Sequence, residues 1–408
     1  ETTFKQETVP RYHARDVARQ RSKLEGIPLV LGSATPSLES WQQTVAGSAR
    51  LVQLPRRVLG RPLPDVATID LRNEYGRKGS RGAISQPLYH AMRQTLDQEG
   101  QVILLLNRRG FSTSIQCPAC GNVVRCPQCD VALTHHRPSA GGGERAICHY
   151  CDHESIAPTN CPDCGADSIR YAGQGTQRLE AEVRARFAGI PCLRMDSDTM
   201  RKPNSHEQAL ARFRDGEVRI LVGTQMIAKG LDFPGVTLVG VVNADTSLHF
   251  PDFRAAERTF QLVTQVAGRT GRGDLGGRVL VQTFSPAHPA IQAAVRQEFE
   301  AFAEQELPAR EGFGFPPFSS LVRLIVRGED EQRTEEYAQF LVDQVKGRIA
   351  DPEGMLAEGG AMVVHRKSAD IDDVELLRGK SWSFKAPQVT WAFFFRLQIL
   401  FRENKKKS

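Results

Sequence analysis

Arg219–Asp245 reads RILVGTQMIAKGLDFPGVTLVGVVNAD. Two short apolar runs stand in it, Arg219–Val222 and Leu238–Val242, and each ends in a polar cluster. Gly223-Thr224-Gln225 follows the first and Asn243-Ala244-Asp245 the second. Runs that are apolar throughout suit strands buried on both faces, hence a parallel sheet. Ile27–Leu31, Val102–Leu106 and Arg278–Gln282 are runs of the same kind. Helical spacing lies between them. Leu179, Val183 and Phe187 recur every four residues behind Thr176, a suitable N-cap, and Ala256, Phe260, Val263 and Ala267 form a second stripe. Both stripes are expected to be core faces. The fold expected is α/β, and ligands of open α/β sheets sit outside the carboxyl ends of the strands. Asn107-Arg108-Arg109-Gly110 after a third strand joins the two polar clusters above. One such cluster would be ordinary turn chemistry; three together predict a binding surface.

The cysteines stand in a regular pattern. Eight of nine form four C-x-x-C pairs: Cys117/Cys120, Cys126/Cys129, Cys148/Cys151 and Cys161/Cys164. Two residues between thiols let a tight knuckle aim both sulfurs at one ion, so eight thiolates match two tetrahedral zinc sites. Gly121 and Gly165 follow two of the pairs and ease the turn, while Pro118, Pro127 and Pro162 stiffen three knuckles. Disulfides need an oxidising compartment, and no basic-then-apolar leader opens the chain. A redox C-x-x-C would stand singly at a helix start. Spacing alone leaves open which pairs share an ion. His135, His136, His149 and His153 lie nearby, but with eight thiols present they are read as solvated. Cys192 is read as a buried apolar residue. Residues 112–170 thus form a metal-held insertion with a Ser139–Gly143 loop inside it.

Gln265-Val266-Ala267-Gly268-Arg269-Thr270-Gly271-Arg272 is a second signal. Gln265, Arg269 and Arg272 share one face if a helix runs through them. Paired guanidinium forks suit an anionic target such as a transferring phosphoryl group. Composition sets only bounds. The 408 residues carry 53 Lys and Arg against 47 Asp and Glu, a net +6, with 40% hydrophobic content. This is ordinary for a soluble multidomain protein, permits nucleic-acid binding without demanding it, and excludes a disordered or collagen-like chain. Trp391–Leu397, broken by Arg396, is too short to span a bilayer. No membrane partner and a cytoplasmic location are expected. The chain opens at Glu1, which points to a fragment or a processed chain.

Several motifs together resemble one family. Gly32-Ser33-Ala34-Thr35-Pro36-Ser37 is similar to motif III of superfamily 2 helicases, Val222–Pro234 to motif V and Gln265–Arg272 to motif VI. The eight-cysteine insertion and Leu106–Phe111 (LNRRGF) resemble the primosomal protein N′ (PriA) family of bacterial replication-restart helicases. Phe4-Lys5-Gln6, Pro10–Asp16 and Gly314-Phe315-Pro316-Pro317-Phe318 fit that family too. The resemblance runs from residue 1 to about 345. It implies RecA-like helicase lobes with the zinc insertion in the second lobe and an α+β C-terminal domain. The segments implied are 1–70 as the remainder of lobe 1, 71–290 as lobe 2, and 291–408 as a partial C-terminal domain that departs from the family after about 350.

The resemblance also implies ATP-dependent 3′-to-5′ DNA unwinding at stalled or repaired forks, with ATP and magnesium as cofactors. Forked DNA, primosome proteins and single-strand-binding protein would be partners. Arg269 and Arg272 take the arginine-finger positions beside Gln265, and Asp232 and Gly230 lie in the nucleotide-facing motif V. Thr224 and Asn107 would touch the DNA backbone. The Phe4–Arg15 segment would couple DNA contact to hydrolysis: Phe4 and Tyr12 can stack on bases while Lys5, Arg11 and Arg15 meet phosphates. The zinc pairing implied is nested, Cys117, Cys120, Cys161 and Cys164 on one ion, and Cys126, Cys129, Cys148 and Cys151 on the other. Two elements of the family pattern are missing: the sequence holds no G-x-x-x-x-G-K-[ST] loop and no D-E-E-H box. A zinc-dependent DNA- or protein-binding module without ATPase activity is therefore the alternative reading.

Overall fold

The computed structural model describes residues 5–6, 12–54, 64–74, 82–106, 114–136, 144–150, 153–167, 169, 176–196, 199–200, 205–224, 227, 233–268, 270, 276–328, 330, 332–333 and 336–341, and the strand segments 356–357, 362–367, 376–378, 383–386, 389–391 and 393–401. The chain divides into two units, residues 1–53 and 54–408.

In the first unit, strands β1 (Lys5–Gln6) and β2 (Tyr12–His13) form an antiparallel ribbon that runs into α1 (Ala14–Glu25). The His13 side chain caps α1 by accepting the Arg15 N–H. Ser37 does the same for α2 (Leu38–Val45), accepting from the Ser40 N–H. The apolar run Ile27–Leu31, expected as a strand, is irregular, and Val30 is 88% exposed. A strand's N–H and C=O groups are satisfied only by a neighbouring strand, and none pairs with this run among the described residues.

The second unit is built on six strands. They are β3 (Asp65–Asp70), β4 (Gln101–Leu105), β8 (Cys192–Met195), β9 (Ile220–Gly223), β10 (Val236–Val241) and β11 (Arg278–Thr283). Between β4 and β8 come β5 (Thr134–His136), β6 (Arg145–Ile147) and β7 (Glu154–Ile156), a small antiparallel sheet of their own. The six strands run in the order β3-β11-β10-β4-β9-β8, every pair parallel. Burial explains the uniformly apolar runs. Val102, Leu104, Val222 and Leu238 pack on one side with Leu88 and Met92 of α3 (Gln86–Asp97) and Leu179 and Val183 of α4 (Thr176–Arg186). The alternate positions Ile103, Val239 and Val279 are equally buried, so both faces are covered.

β3 is the outer strand beside β11, so the sheet begins before residue 71, the boundary expected from the sequence. Its residues vary from buried to exposed where the central strands are buried throughout, which hides an edge strand from a search for continuous apolar runs. Thr176 is also not a cap. It is the first helical residue, fully buried, and its hydroxyl donates to Asp196 Oδ2 at 2.7 Å.

Helix α5 (Ser205–Arg214) precedes β9, and α6 (Asp245–Leu248) and α7 (Ala255–Ala267) follow β10. Phe260 and Val263 of α7 are fully buried, as the stripe predicts. Beyond β11, α8 (Pro289–Arg296) and α9 (Phe299–Gly312) pack on α7, with Phe260 stacked on Phe302 at 4.6 Å. The Arg310 guanidinium on α9 is buried between Glu257 (2.8 Å) and Glu306 (3.1 Å). Two mixed-order sheets follow, one of four strands opening with β12 (Ser320–Gly328) and one of three. Helices followed by such sheets give the α+β end that was expected. Trp391 and Phe393–Leu397 fall on strands of these sheets. Among the described residues no helix is long and apolar enough to cross a membrane.

Candidate functional site

Among the described residues, three of the knuckles repeat one backbone design. In the first, the Cys117 N–H donates to the Asn122 carbonyl (2.8 Å) and the Gly121 N–H to the Cys117 carbonyl (2.8 Å). The fourth repeats both bonds with Cys161, Ala166 and Gly165, and the second uses Cys126, Val131 and Asp130. Residues after the second cysteine take the left-handed conformation: Gly121 at φ 83°, Gly165 at φ 73° and Asp130 at φ 49°. Two glycines were legible in the sequence. Asp130 was not, because aspartate enters this region only when local hydrogen bonds favour it.

The sulfurs of Cys117, Cys120, Cys161 and Cys164 all lie within 4.8 Å of one another. Cys126, Cys129 and Cys148 form a second group by the same measure, while Cys151 lies outside the described residues. The groups follow the nested pairing. Cys117 and Cys164 sulfurs are 3.8 Å apart and those of Cys120 and Cys161 3.6 Å. A tetrahedral zinc with Zn–S of about 2.3 Å has sulfur–sulfur edges of about 3.8 Å, so the donor set fits that ion. A disulfide needs about 2.05 Å. Backbone N–H groups also face the sulfurs, from Asn122 to Cys120 and from Tyr150 to Cys148, each at 3.4 Å. Burial pushes the Cys120 thiol up to about 12, so a metal must displace its proton. Cys192 sits apart in β8, buried in the main core, its thiol likewise pushed up to about 12 by burial.

The outer group is fastened to the carboxyl ends of the sheet strands. Gln116, next to Cys117, donates from Nε2 to Asp245 Oδ1 at 3.0 Å. Asp245, fully enclosed at the start of α6, also accepts from the Phe284 N–H (2.8 Å) and the Ser285 hydroxyl (2.9 Å), and faces His249 Nε2 at 3.2 Å. Burial alone would push this carboxyl up, but the His249, Gln116 and Phe284 donors outweigh it and hold it below the ordinary carboxylate range. Arg72, paired with Asp70 at 2.7 Å, reaches the Cys120 carbonyl at 3.4 Å. Gly121 lies so close to the end of β11 that a Cβ there would sit 2.2 Å from the Phe284 carbonyl oxygen. The sequence marked the Asn243-Ala244-Asp245 cluster as a strand end but not Asp245 as the joint between sheet and insertion. No local pattern encodes a bond 129 residues long.

The histidines are not merely solvated. His135 is buried with Nε2 3.4 Å from Glu144, and half-buried His136 and His149 face each other through their Nε2 atoms. A cavity of about 320 Å³ lies beside the second knuckle, walled in part by Arg125, Asp130, His288, Glu306 and Phe315. Burial pushes His288 down to about 3, helped by His249 and Arg125, and pushes Glu306 up.

Of the other expected site residues, Thr224 is half-buried just beyond β9, Gln265 is exposed on α7, and Tyr12 is half exposed on the β2 strand. Arg15 is already engaged: Nη1 donates to the hydroxyls of Ser37 (2.7 Å) and Ser40 (2.9 Å). Phe4, Asn107, Gly230, Asp232, Arg269 and Arg272, and the side chain of Lys5, lie outside the described residues. The shared-face reading of Gln265, Arg269 and Arg272 required a continuous helix. The helix ends at Ala267 instead, and Thr270 turns back, its N–H donating to the Ala267 carbonyl at 3.3 Å. Gly268 disfavours continuation, and the Thr270 hydroxyl adds a second bond to the same carbonyl at 3.1 Å.

Residues 168–274 match the helicase conserved C-terminal domain, and residues 126–155 match the PriA DNA helicase Cys-rich region domain. The replication restart protein PriA of Bacillus subtilis is 44% identical over 345 residues, covering 84% of this chain and 42% of that protein. That of a Synechocystis species is 44% identical over 346 residues, with the same coverage. That of Treponema pallidum is 42% identical over 338 residues, 83% of this chain and 50% of that protein. The chain thus spans about half or less of the length of these curated relatives.

Proposed function

The chain belongs to the PriA family of replication restart proteins, and on that premise we propose that it forms the zinc-bearing second lobe and adjoining parts of an ATP-dependent 3′-to-5′ DNA helicase. The single observation that carries this is identity of 44% over 345 residues, a span that includes the cysteine-rich region. The activity would restart replication at stalled or repaired forks and load the primosome, in the cytoplasm, with single-strand-binding protein among the partners.

Each residue has a role in this reading. Two zinc ions occupy the two cysteine groups and hold the insertion on the strand ends. ATP with magnesium binds between this lobe and a first lobe whose phosphate loop lies outside the 408 residues. Arg269 and Arg272 donate to the γ-phosphate and stabilise the charge that develops there, with Gln265 beside them. Asp232 and Gly230 line the nucleotide side of motif V. Thr224 and Asn107, at strand ends, meet the DNA backbone, while Phe4 and Tyr12 stack on bases and Lys5 meets phosphate. Arg15 serves DNA binding by position: its bonds to Ser37 and Ser40 tie the ribbon to the Gly32–Ser37 segment.

For the 408 residues taken by themselves, which hold no phosphate loop, the second reading is a zinc-dependent DNA- or protein-binding module without ATPase. A forked duplex with a fluorescent strand separates the two. The intact protein is expected to unwind it only with ATP and magnesium. Binding of the fork with neither hydrolysis nor strand separation would decide for the binding module.

A further inference from the structure

We propose a third metal site beside the two cysteine groups, in which His136 and His149 hold one divalent transition-metal ion through their Nε2 atoms. It rests on the reading of the cysteine groups as zinc sites, because the knuckle at Cys148 builds it. His136 ends β5 and pairs with Arg145 of β6, while His149 lies beyond the end of β6. A straight ladder would leave them far apart. The turn at Cys148 folds His149 back, and the two Nε2 atoms meet at 3.4 Å with the rings tilted by 56°.

The spacing suits a shared ion. Two imidazole nitrogens on one tetrahedral zinc, each at about 2.0–2.1 Å, stand about 3.3–3.4 Å apart, and the observed 3.4 Å matches. Without metal the same two atoms stand as a long hydrogen bond between the rings, which an ion would replace. Both rings are half-buried, so an ion can enter and water can complete its coordination. Imidazole nitrogen selects zinc, nickel or copper over magnesium or calcium. The neighbouring His135 is turned to Glu144, and Arg145 is paired with Glu154, so neither crowds the site. With two protein ligands against four, it binds more weakly than the cysteine groups and fills only after them.

The test uses the protein as isolated, its resident zinc counted first. Zn²⁺ is then added in equilibrium dialysis, and the ¹⁵N ring signals of His136 and His149 are followed. The wild type is expected to take up one equivalent beyond its resident zinc, with both Nε2 signals shifted. His136→Gln and His149→Gln should each lose that equivalent and keep the resident zinc, whereas His153→Gln should keep both. Two resident zinc ions with no further uptake, uptake that survives both substitutions, or unshifted ring signals would overturn this site alone. Fewer than two resident zinc ions would overturn the cysteine reading and this site with it.

Discussion

Gly121 and Gly165 occupy equivalent positions in two knuckles of the same four-sulfur group, and alanine at each isolates how the insertion is fastened to the sheet. At Gly165 nothing lies within 4 Å of an added Cβ, so Gly165→Ala meets only the backbone cost of φ 73°. That cost is about 1–2 kcal/mol, offset in part by the reduced freedom of the unfolded chain. Gly121→Ala meets the same cost at φ 83° plus a Cβ 2.2 Å from the Phe284 carbonyl oxygen. A backbone oxygen cannot swing aside like a side chain, so the knuckle or the end of β11 must shift. Overpacking of this kind adds about 1–3 kcal/mol. The shift also strains the neighbouring Phe284 N–H bond to Asp245. Urea unfolding of zinc-loaded protein should therefore place Gly121→Ala about 1–3 kcal/mol below Gly165→Ala. Zinc release to a chelating dye should be faster from Gly121→Ala. Equal stabilities and equal release rates would refute the claim that the outer group is seated against β11.

Other outcomes follow from the same structure. Asp245→Ala strips the acceptor from Gln116, Phe284, Ser285 and His249 inside the protein and should cost about 3 kcal/mol or more, read by urea unfolding. His288 titrates near 3 when folded, against about 6.5 unfolded, so only the unfolded chain takes up its proton between those values. Stability should therefore fall on acidification through pH 6.5 to 3. The His288 ring caps α8 by accepting the Ala290 N–H at 3.2 Å. His288→Asn keeps such an acceptor without the titration, so the stability–pH curve should flatten by up to about 1.4 kcal/mol per pH unit while neutral-pH stability is kept. Metal analysis should find about two zinc per chain, and X-ray absorption four sulfurs at about 2.3 Å around each.

What the sequence disclosed, and what it hid, follows the range of the interactions. The central strands were legible because burial on both faces leaves almost no polar position: none in β9, and only Thr237 in β10. The cysteine sites were legible because each knuckle is a local pattern. Ile27–Leu31 misled because apolar content marks the wish to be buried, while a strand also needs a hydrogen-bonded neighbour. Asp245 escaped because its donors come from positions 116, 249, 284 and 285, which only the folded sheet brings together. The His136–His149 pairing escaped for a similar reason: the knuckle that joins them is itself shaped by metal ligands elsewhere.

If this lobe completes an ATP site with arginines from the Gln265–Arg272 segment, Arg269 is needed for hydrolysis. DNA-stimulated ATP hydrolysis by the intact protein is compared with that of its Arg269→Ala variant. The variant is expected to lose stimulated hydrolysis, by about 10³-fold or more, while fork binding survives. Unchanged hydrolysis with loss of DNA binding would contradict it and assign Arg269 to the DNA.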